Sequence, residues 1–583
     1  MKLTIFKSKI ICAKIIPSFA VSVIFILPLL IVNPAIAEKP EDVKKLLETK
    51  ECTRCDLSYA NLSYTNLKQA EIDAANLSYA NLSNSTLKRV DFSRTDLQNA
   101  NLSNSDLSYA DLSRANLSNA NFSYADLSYA DLSNANLTSV NLSNAKLRGV
   151  EFDNVNLDGA NLSDVDLRDV NLRYVNLNGA ILDRVNFQGA NLQDFDLRRT
   201  YLRNANLSGA NLKDADLKGA ILENAYLRRA SLNNANLRNA NLQNADFTQA
   251  NLDNANLQNA ELIGVNLDGA SLQNTDLRGA NLNVKYIPDG NFIADASDFI
   301  RWGGFRLNGN DYQSAINYYD RAIQLDSQSA LAYTNRGFAK SKLQNERGAL
   351  EDYNQAIKVN PNYTEAYNYR GYFYIKQKKY QLALDDFNKA TSLNPNYHQA
   401  FNGKTIVYLN QKDYPKAIRS ATDAIRLNSK YSRAYNNRGL AQYALKNYQA
   451  ADKDFRNAIK HSYRWAEAYY NSGRARYQIG EYKKATKRFD KAIKFNSNYV
   501  DAYYFRSKSR FARQKYQDAI KDCDRVIARN PNYAAAYENK GKSLLALNKP
   551  IAAKQAFEKA AEIYAQKQDT QSLQRVQKIT AEL

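Results

Sequence analysis

Enzyme chemistry needs nucleophiles, imidazoles or paired carboxylates within reach of one another, and this chain offers few of them. Cys52 and Cys55 have Cys-x-x-Cys spacing, Cys523 stands alone, Cys12 lies near the start, and the two histidines, His398 and His461, are far apart in sequence. A cysteine pair at that spacing can form a local disulfide, exchange disulfides, or supply half of a zinc site. No βαβ pattern surrounds it and no second pair completes a metal set, so a local disulfide or two inert thiols is the expected state. Two distant histidines build neither a triad nor a multi-histidine metal site. No Gly-rich phosphate cradle and no nucleophile with a plausible base stands elsewhere in the chain. The expectation is a non-enzyme without cofactor or metal.

The elements that hold these residues divide the chain in two. Its 583 residues are 44% apolar and 24% charged, a globular composition, with a net charge of +20. Residues 56–283 carry 19 basic and 26 acidic side chains, whereas residues 284–583 carry 51 basic and 28 acidic. The basic excess is therefore confined to the second half.

Residues 1–37 form a segment of their own. Lys2, Lys7, Lys9 and Lys14 precede an apolar run from Ile15 to Ile31, and Ala35-Ile36-Ala37 offers the small residues a signal peptidase reads. The segment reads as a secretory signal cleaved after Ala37; an uncleaved membrane anchor is the alternative. Either way the bulk of the protein is expected to be exported, to a periplasm or a comparable lumen.

From Asp56 the sequence repeats every five residues. Leu, Phe or Ile occupies every fifth position from Leu57 to Leu282, giving 46 units without a phase slip. Five steps along a helix rotate the side chain by about 140°, so these leucines would spiral round its surface. In a straight strand an odd period sends successive leucines to opposite faces. The chain must turn a corner in each unit, with Leu inward and the residue two before it inward by alternation. That second position is small, as at Ala60, Ala70, Ala75, Val90 and Ala100, with Phe195 the departure.

These units resemble the pentapeptide-repeat family, whose A-(D/N)-L-x-x motif nearly every unit matches. The resemblance implies a right-handed quadrilateral β-helix over residues 56–283, four units per coil and about eleven coils, on the order of 55 Å long at strand spacing. Leu and Ala would fill it, so function must lie outside or at its ends. Arg198, Lys218, Arg238 and Arg278 recur on one face as a basic ladder that Asp196, Asp216 and Asp276 are placed to neutralise. Tyr59 with Tyr79, and Tyr109 with Tyr129, should stack. Residues 38–55, with Val43, Leu46 and Leu47, read as a helical cap over the open first coil.

After a linker at 284–295 the period becomes 34. Ala315, Ala349, Ala383, Ala417, Ala451, Ala485, Ala519 and Ala553 recur at that interval, and Gly303, Gly337, Gly371, Gly439, Gly473 and Gly541 lie twelve residues before their alanines. Small residues at fixed offsets let two helices approach closely, and Pro361, Pro395 and Pro531 fall where helices must stop. The pattern resembles the tetratricopeptide repeat, with eight copies over 296–567 and a capping helix at 568–583. The whole is thus expected to be two repeat domains, the β-helix followed by an all-α tetratricopeptide superhelix.

The family resemblance implies a concave groove, lined by the first helix of each repeat, that binds an extended peptide or a partner's helix. Asn335, Asn437, Asn471 and Asn539 occupy the motif's groove position, where an amide can pair with a peptide backbone. The next position holds Arg336, Arg370, Lys404, Arg438, Arg506 and Lys540, a departure from the apolar residue usual there. This basic set suits an acidic peptide or carboxylate; the alternative is side chains that snorkel at the repeat interface. Nucleic acid is not expected as a partner of an exported protein, and membrane contact is expected only through an uncleaved signal or an anionic surface. The combination of both repeats behind a signal resembles cyanobacterial proteins, which admits the thylakoid lumen. The leading reading is a non-enzymatic scaffold whose groove recruits a partner while the rod spaces or docks. Inhibition of a target through surface mimicry by the rod is the alternative.

Overall fold

The computed structural model describes residues 39–172, 174–284 and 291–583. The secretory signal expected over residues 1–37 lies outside them. Among the described residues, no helix is long and apolar enough to cross a membrane.

The five-residue period builds a parallel coil in which each unit pairs with the unit twenty residues on, as Asp56 pairs with Asn76 and Asn61 with Asn81. Leu57 N–H donates to the Asn76 carbonyl at 2.7 Å, and Asn76 N–H donates to the Cys55 carbonyl at 2.8 Å. The expected four units per coil are therefore present, and β1 (Glu261–Ile263) and β2 (Asn281–Asn283) are two such rungs. Inward leucines are buried throughout. Where the small position is polar, its hydroxyl turns to the backbone: Ser85 Oγ donates to the Leu62 carbonyl at 2.8 Å and Thr200 Oγ1 to that of Leu197 at 2.7 Å. Phe195 is only half-buried.

The Asn/Asp of each unit has two roles that the period alone does not reveal. Its Oδ1 accepts the N–H two residues on, as Asn76 does from Ser78 at 3.1 Å, closing the corner. Where it is Asn, its Nδ2 donates to the equivalent side chain one coil earlier, so Asn161, Asn141, Asn121, Asn101, Asn81 and Asn61 form a continuous amide ladder with steps of 2.9–3.2 Å. Each corner also places one residue in the left-handed region, with φ near 60° at Tyr59, Asn84 and Arg114, which explains the frequent Asn and Gly there.

Both boundaries of the coil differ from the expected 56 and 283. Cys52 takes the Leu position and Cys55 the small position of an additional first unit, and Glu51 pairs with Glu71. The two cysteines are joined as a disulfide and are buried. The 38–55 cap is thus divided: α1 (Pro40–Thr49) covers the end with Leu46 fully buried, and residues 51–55 belong to the coil. At the other end the linker is partly a rung, since Ile293 pairs with Asp276 and Asn274 N–H donates to the Asn291 carbonyl at 2.9 Å.

The first helix pair is α2 (Ala296–Asn308) and α3 (Tyr312–Leu325), and α2 caps the coil. Trp302 is 1% exposed, and its indole N–H donates to the Ala280 carbonyl at 3.2 Å. Arg301 donates to the same carbonyl at 2.7 Å, while Asp298 accepts the N–H of Gly279 at 3.1 Å. The open sheet edge is covered in this way. The chain divides into two compact units after Ser327, so this pair belongs to the unit of the coil.

The second unit contains seven helix pairs and a terminal helix: α4 (Ala330–Lys342) and α5 (Glu346–Val359), α6 (Thr364–Lys376) and α7 (Tyr380–Leu393), α8 (His398–Asn410) and α9 (Tyr414–Leu427), α10 (Ser432–Ala444) and α11 (Tyr448–His461), α12 (Ala466–Gln478) and α13 (Tyr482–Phe495), α14 (Val500–Ala512) and α15 (Tyr516–Arg529), α16 (Ala534–Ala546) and α17 (Pro550–Gln566), then α18 (Thr570–Ala581). The periodic glycines admit an aromatic ring. A Cβ on Gly439 would lie 2.7 Å from Phe455, and one on Gly473 would lie 2.5 Å from Phe489.

Candidate partner-binding surface

First helices of successive repeats touch one another, from α4 with α6 to α14 with α16, as well as their own second helices. They therefore form a continuous inner surface, and the side chains aimed away from the second helices line it.

The structure gives the sequence-predicted residues internal roles. Arg336 bonds Asp352 at 2.9 and 2.6 Å, Arg370 bonds Asp386 at 2.9 and 2.7 Å, Arg438 bonds Asp454 at 2.8 and 2.8 Å, and Arg506 bonds Asp522 at 2.8 and 2.6 Å. Each partner stands sixteen residues later on the second helix of the same repeat, and all four aspartates are at most 5% exposed. Each guanidinium also lies over the Tyr three residues earlier, at 5.4 Å for Tyr333, 5.7 Å for Tyr367 and Tyr435, and 5.3 Å for Tyr503. The expectation of a free anion-binding set at 336, 370, 438 and 506 is thus corrected: their charge is matched inside each repeat. Lys404 has Ser420 in place of that aspartate and donates to Thr391 at 2.9 Å, while Lys540 pairs with Asp524 at 2.7 Å.

The asparagines are drawn together rather than left open. Asn437 Nδ2 donates to Asn402 at 2.9 Å, Asn471 Nδ2 to Asn436 at 3.1 Å, and Asn539 Nδ2 to Ser507 at 2.8 Å. Asn471 and Asn539 are buried. These amides link consecutive first helices, while Asn335 stays half-buried on α4.

The residues that sequence reasoning missed stand three positions beyond Asn471 and Phe505. Arg474 on α12 lies 4.5 Å from the centroid of Tyr443, 5.5 Å from Tyr470 and 5.6 Å from Phe505. Lys508 on α14 lies 5.0 Å from Tyr477, 5.9 Å from Tyr504 and 5.6 Å from the same Phe505. Burial pushes the Lys508 ammonium below the usual lysine range, with Lys542 adding to the effect and Glu538 opposing it. The signal was available: at this repeat position Phe338, Tyr372, Ile406 and Leu440 give way to Arg474, Lys508 and Lys542.

On the rod, part of the outward charge is matched locally. Arg198 bonds Asp196 at 2.8 Å, Arg278 bonds Asp276 at 2.9 Å, and Arg184 bonds Asp164 at 2.6 Å. Two members of the expected basic ladder, Arg198 and Arg278, are neutralised in this way, whereas Lys218 and Arg238 form no ion pair among the described residues. Tyr59 stacks on Tyr79 at 4.9 Å and Tyr109 on Tyr129 at 5.0 Å. Cys523 is buried and its thiol is pushed up to about 11, which leaves it unreactive. Among the described residues no group of His, Cys, Asp and Glu is arranged to hold a metal.

Comparison with known families finds pentapeptide repeats, eight overlapping copies spanning residues 51–283, and tetratricopeptide repeats at 330–363, 364–397, 406–452, 466–499 and 506–567. Among solved structures, the chain is 30% identical to HetL, a pentapeptide repeat protein involved in heterocyst differentiation regulation from the cyanobacterium Nostoc sp. strain PCC 7120. That match covers 41% of this chain and 97% of HetL with a TM-score of 0.22. A tetratricopeptide repeat protein from Parabacteroides merdae is 18% identical, covering 43% of this chain and 98% of that one at a TM-score of 0.33. YrrB, described as a TPR protein with an unusual peptide-binding site, is 23% identical, covering 32% and 95% at 0.27. No curated protein matches.

Proposed function

The chain belongs to the pentapeptide-repeat family through residues 51–283 and carries tetratricopeptide repeats behind them, and from that membership we propose that it is a non-enzymatic scaffold, exported to a periplasm or lumen, whose helical array captures a partner protein. The observation that carries this reading is the inner surface of α10, α12 and α14. Tyr443, Tyr470, Tyr477 and Phe505 are clustered there around two cations. Aromatic and Arg side chains are the groups that dominate protein recognition.

Export is supported by the sequence of residues 1–37 and by the Cys52–Cys55 disulfide, a bond suited to an oxidising compartment. The rod supplies a filled spacer, and arginines lie against several of its outward carboxylates, among them Asp164, Asp196, Asp246 and Asp276, which argues against an anionic mimic. A partner protein rather than nucleic acid follows from the exported setting.

The test is crosslinking and capture with the tagged full chain in the exported compartment of a host. A specific partner should be retained, lost on Tyr443→Ser with Tyr477→Ser, and kept on Tyr109→Ser with Tyr129→Ser in the rod. Retention governed by the rod pair instead would overturn the reading.

A further inference from the structure

Burying a cation without a counter-charge is costly, so an array that neutralises its inward arginines with aspartate must have a reason for leaving others open. Arg336, Arg370, Arg438 and Arg506 each have a carboxylate at hydrogen-bond distance. Arg474 does not. Its Nε is buried without a hydrogen-bond partner, and neither Arg474 nor Lys508 is within ion-pair distance of a carboxylate among the described residues. Both cations flank the ring of Phe505, at 5.6 Å each, on neighbouring first helices.

The carboxylates nearby are committed elsewhere or stand at the edge. Glu538 is held by Lys542 at 2.6 Å, Arg575 at 2.9 Å and Tyr564 at 2.9 Å. Asp501 accepts from the Tyr533 hydroxyl at 2.9 Å, and Glu467 is exposed at the start of α12. Aromatic faces hold Arg474 and Lys508 in position without neutralising them, which preorganises two donors for an incoming anion.

Resting on the scaffold reading above, we propose that Arg474 and Lys508 form a carboxylate-binding site, and that the partner presents an acidic side chain on an extended segment which lies across Phe505 and Tyr477. A carboxylate accepts from the guanidinium fork or from the ammonium, and the peptide's apolar atoms cover the rings. The surrounding positive potential of the second unit steers such a segment inward.

The test uses the full chain and two labelled, end-capped octapeptides, one alternating Ala and Glu and one alternating Ala and Gln, followed by fluorescence anisotropy at low salt. The Glu peptide should bind at least about tenfold tighter than the Gln peptide. Arg474→Met and Lys508→Met, which keep length and apolar contact, should each lose about tenfold, while Lys487→Gln with Lys491→Gln on α13 changes binding less than about twofold. Equal binding of the two peptides shows that no carboxylate is read, and loss on the α13 variant alone shows non-specific charge attraction; either result overturns the site. A neutral-side-chain octapeptide with a free C-terminus separates the two sources of a carboxylate: binding by it but not by the Glu peptide overturns the side-chain assignment. If protein capture survives Arg474→Met and Lys508→Met but fails on Tyr443→Ser with Tyr477→Ser, the carboxylate site falls and the scaffold reading stands.

Discussion

Arg506 and Asp522 face each other across the two helices of one repeat, joined by bonds of 2.8 and 2.6 Å, with the Asp522 side chain wholly buried. Arg510 reaches the same carboxylate at 2.7 Å, and Asp490 accepts from Arg506 at 2.7 Å. A position that is usually apolar in this fold is thereby filled with a matched charge. Helix pairing then depends on complementary partners sixteen residues apart as well as on the small-residue contacts.

Asp522→Asn should destabilise the array strongly, because it leaves Arg506 and Arg510 buried against a neutral amide. Breaking one member of a buried pair costs about 3–5 kcal/mol. The expected result is a lower urea midpoint by far-UV ellipticity, whereas Arg506→Met with Asp522→Leu recovers much of the loss. A double variant as unstable as Asp522→Asn would show that the charge itself is needed.

The legibility of this chain follows repetition. The five-residue period specified the coil because only one backbone path keeps all leucines inward, and the small residues every 34 positions specified the helix pairs. The ends were less legible: Cys52 and Cys55 stand in phase with the leucines and alanines, but cysteine does not match the motif, so the first unit read as cap. At the site, reading one helix alone left Arg438 looking free. Asp454, its partner, is visible only when the offset across the turn is considered. Arg474 differs: the change from apolar to basic residues at its repeat position is written in the sequence, but its lack of a carboxylate partner is seen only in space.

The Cys52–Cys55 bond closes the core of the first unit. A loop this short contributes only about 2 kcal/mol by chain entropy. Reduction of the full chain should therefore leave the later coils intact while the first frays. Maleimide labelling of both cysteines after mild reductant, with hydrogen exchange accelerated at residues 51–57 but not near 200, checks this. Cooperative loss of the whole coil would contradict it.

Two glycines separate backbone strain from crowding. Gly149 and Gly209 have nearly equal φ, 68° and 67°, but a Cβ on Gly149 would sit 2.6 Å from the Tyr129 ring, whereas nothing lies within 4 Å of one on Gly209. Gly209→Ala should cost about 1 kcal/mol, the left-handed penalty alone. Gly149→Ala should cost about 1–3 kcal/mol more, because the ring must move off Tyr109. Thermal unfolding of both, together with Tyr129→Ser and its combination with Gly149→Ala, decides the matter: the clash is real if the combined loss is smaller than additive.

Glu538 ties the last three helices together. Burial opposes its ionisation, yet Arg575 on α18, Lys542 and the Tyr564 hydroxyl on α17 outweigh that and hold its carboxyl down to about 2, against 4.5 when unperturbed. A depressed folded-state value stabilises above the unfolded value, and that contribution is lost as pH falls through the folded one. Linkage alone corresponds to about 3 kcal/mol, and solvent screening of the half-exposed Arg575 and Lys542 reduces it to roughly 2. Glu538→Gln should therefore lower stability by roughly that amount at neutral pH. The deficit should stay constant down to about pH 4.5 and then shrink as pH approaches 2, where the wild-type carboxyl protonates as well. Urea unfolding of both proteins across that range measures the gap, and α18 amides should exchange faster in the variant at neutral pH. A deficit that does not narrow below pH 4.5 would mean that the side chain acts through packing, and the charged knot of Glu538 with Arg575 would not be what fastens the terminal helix.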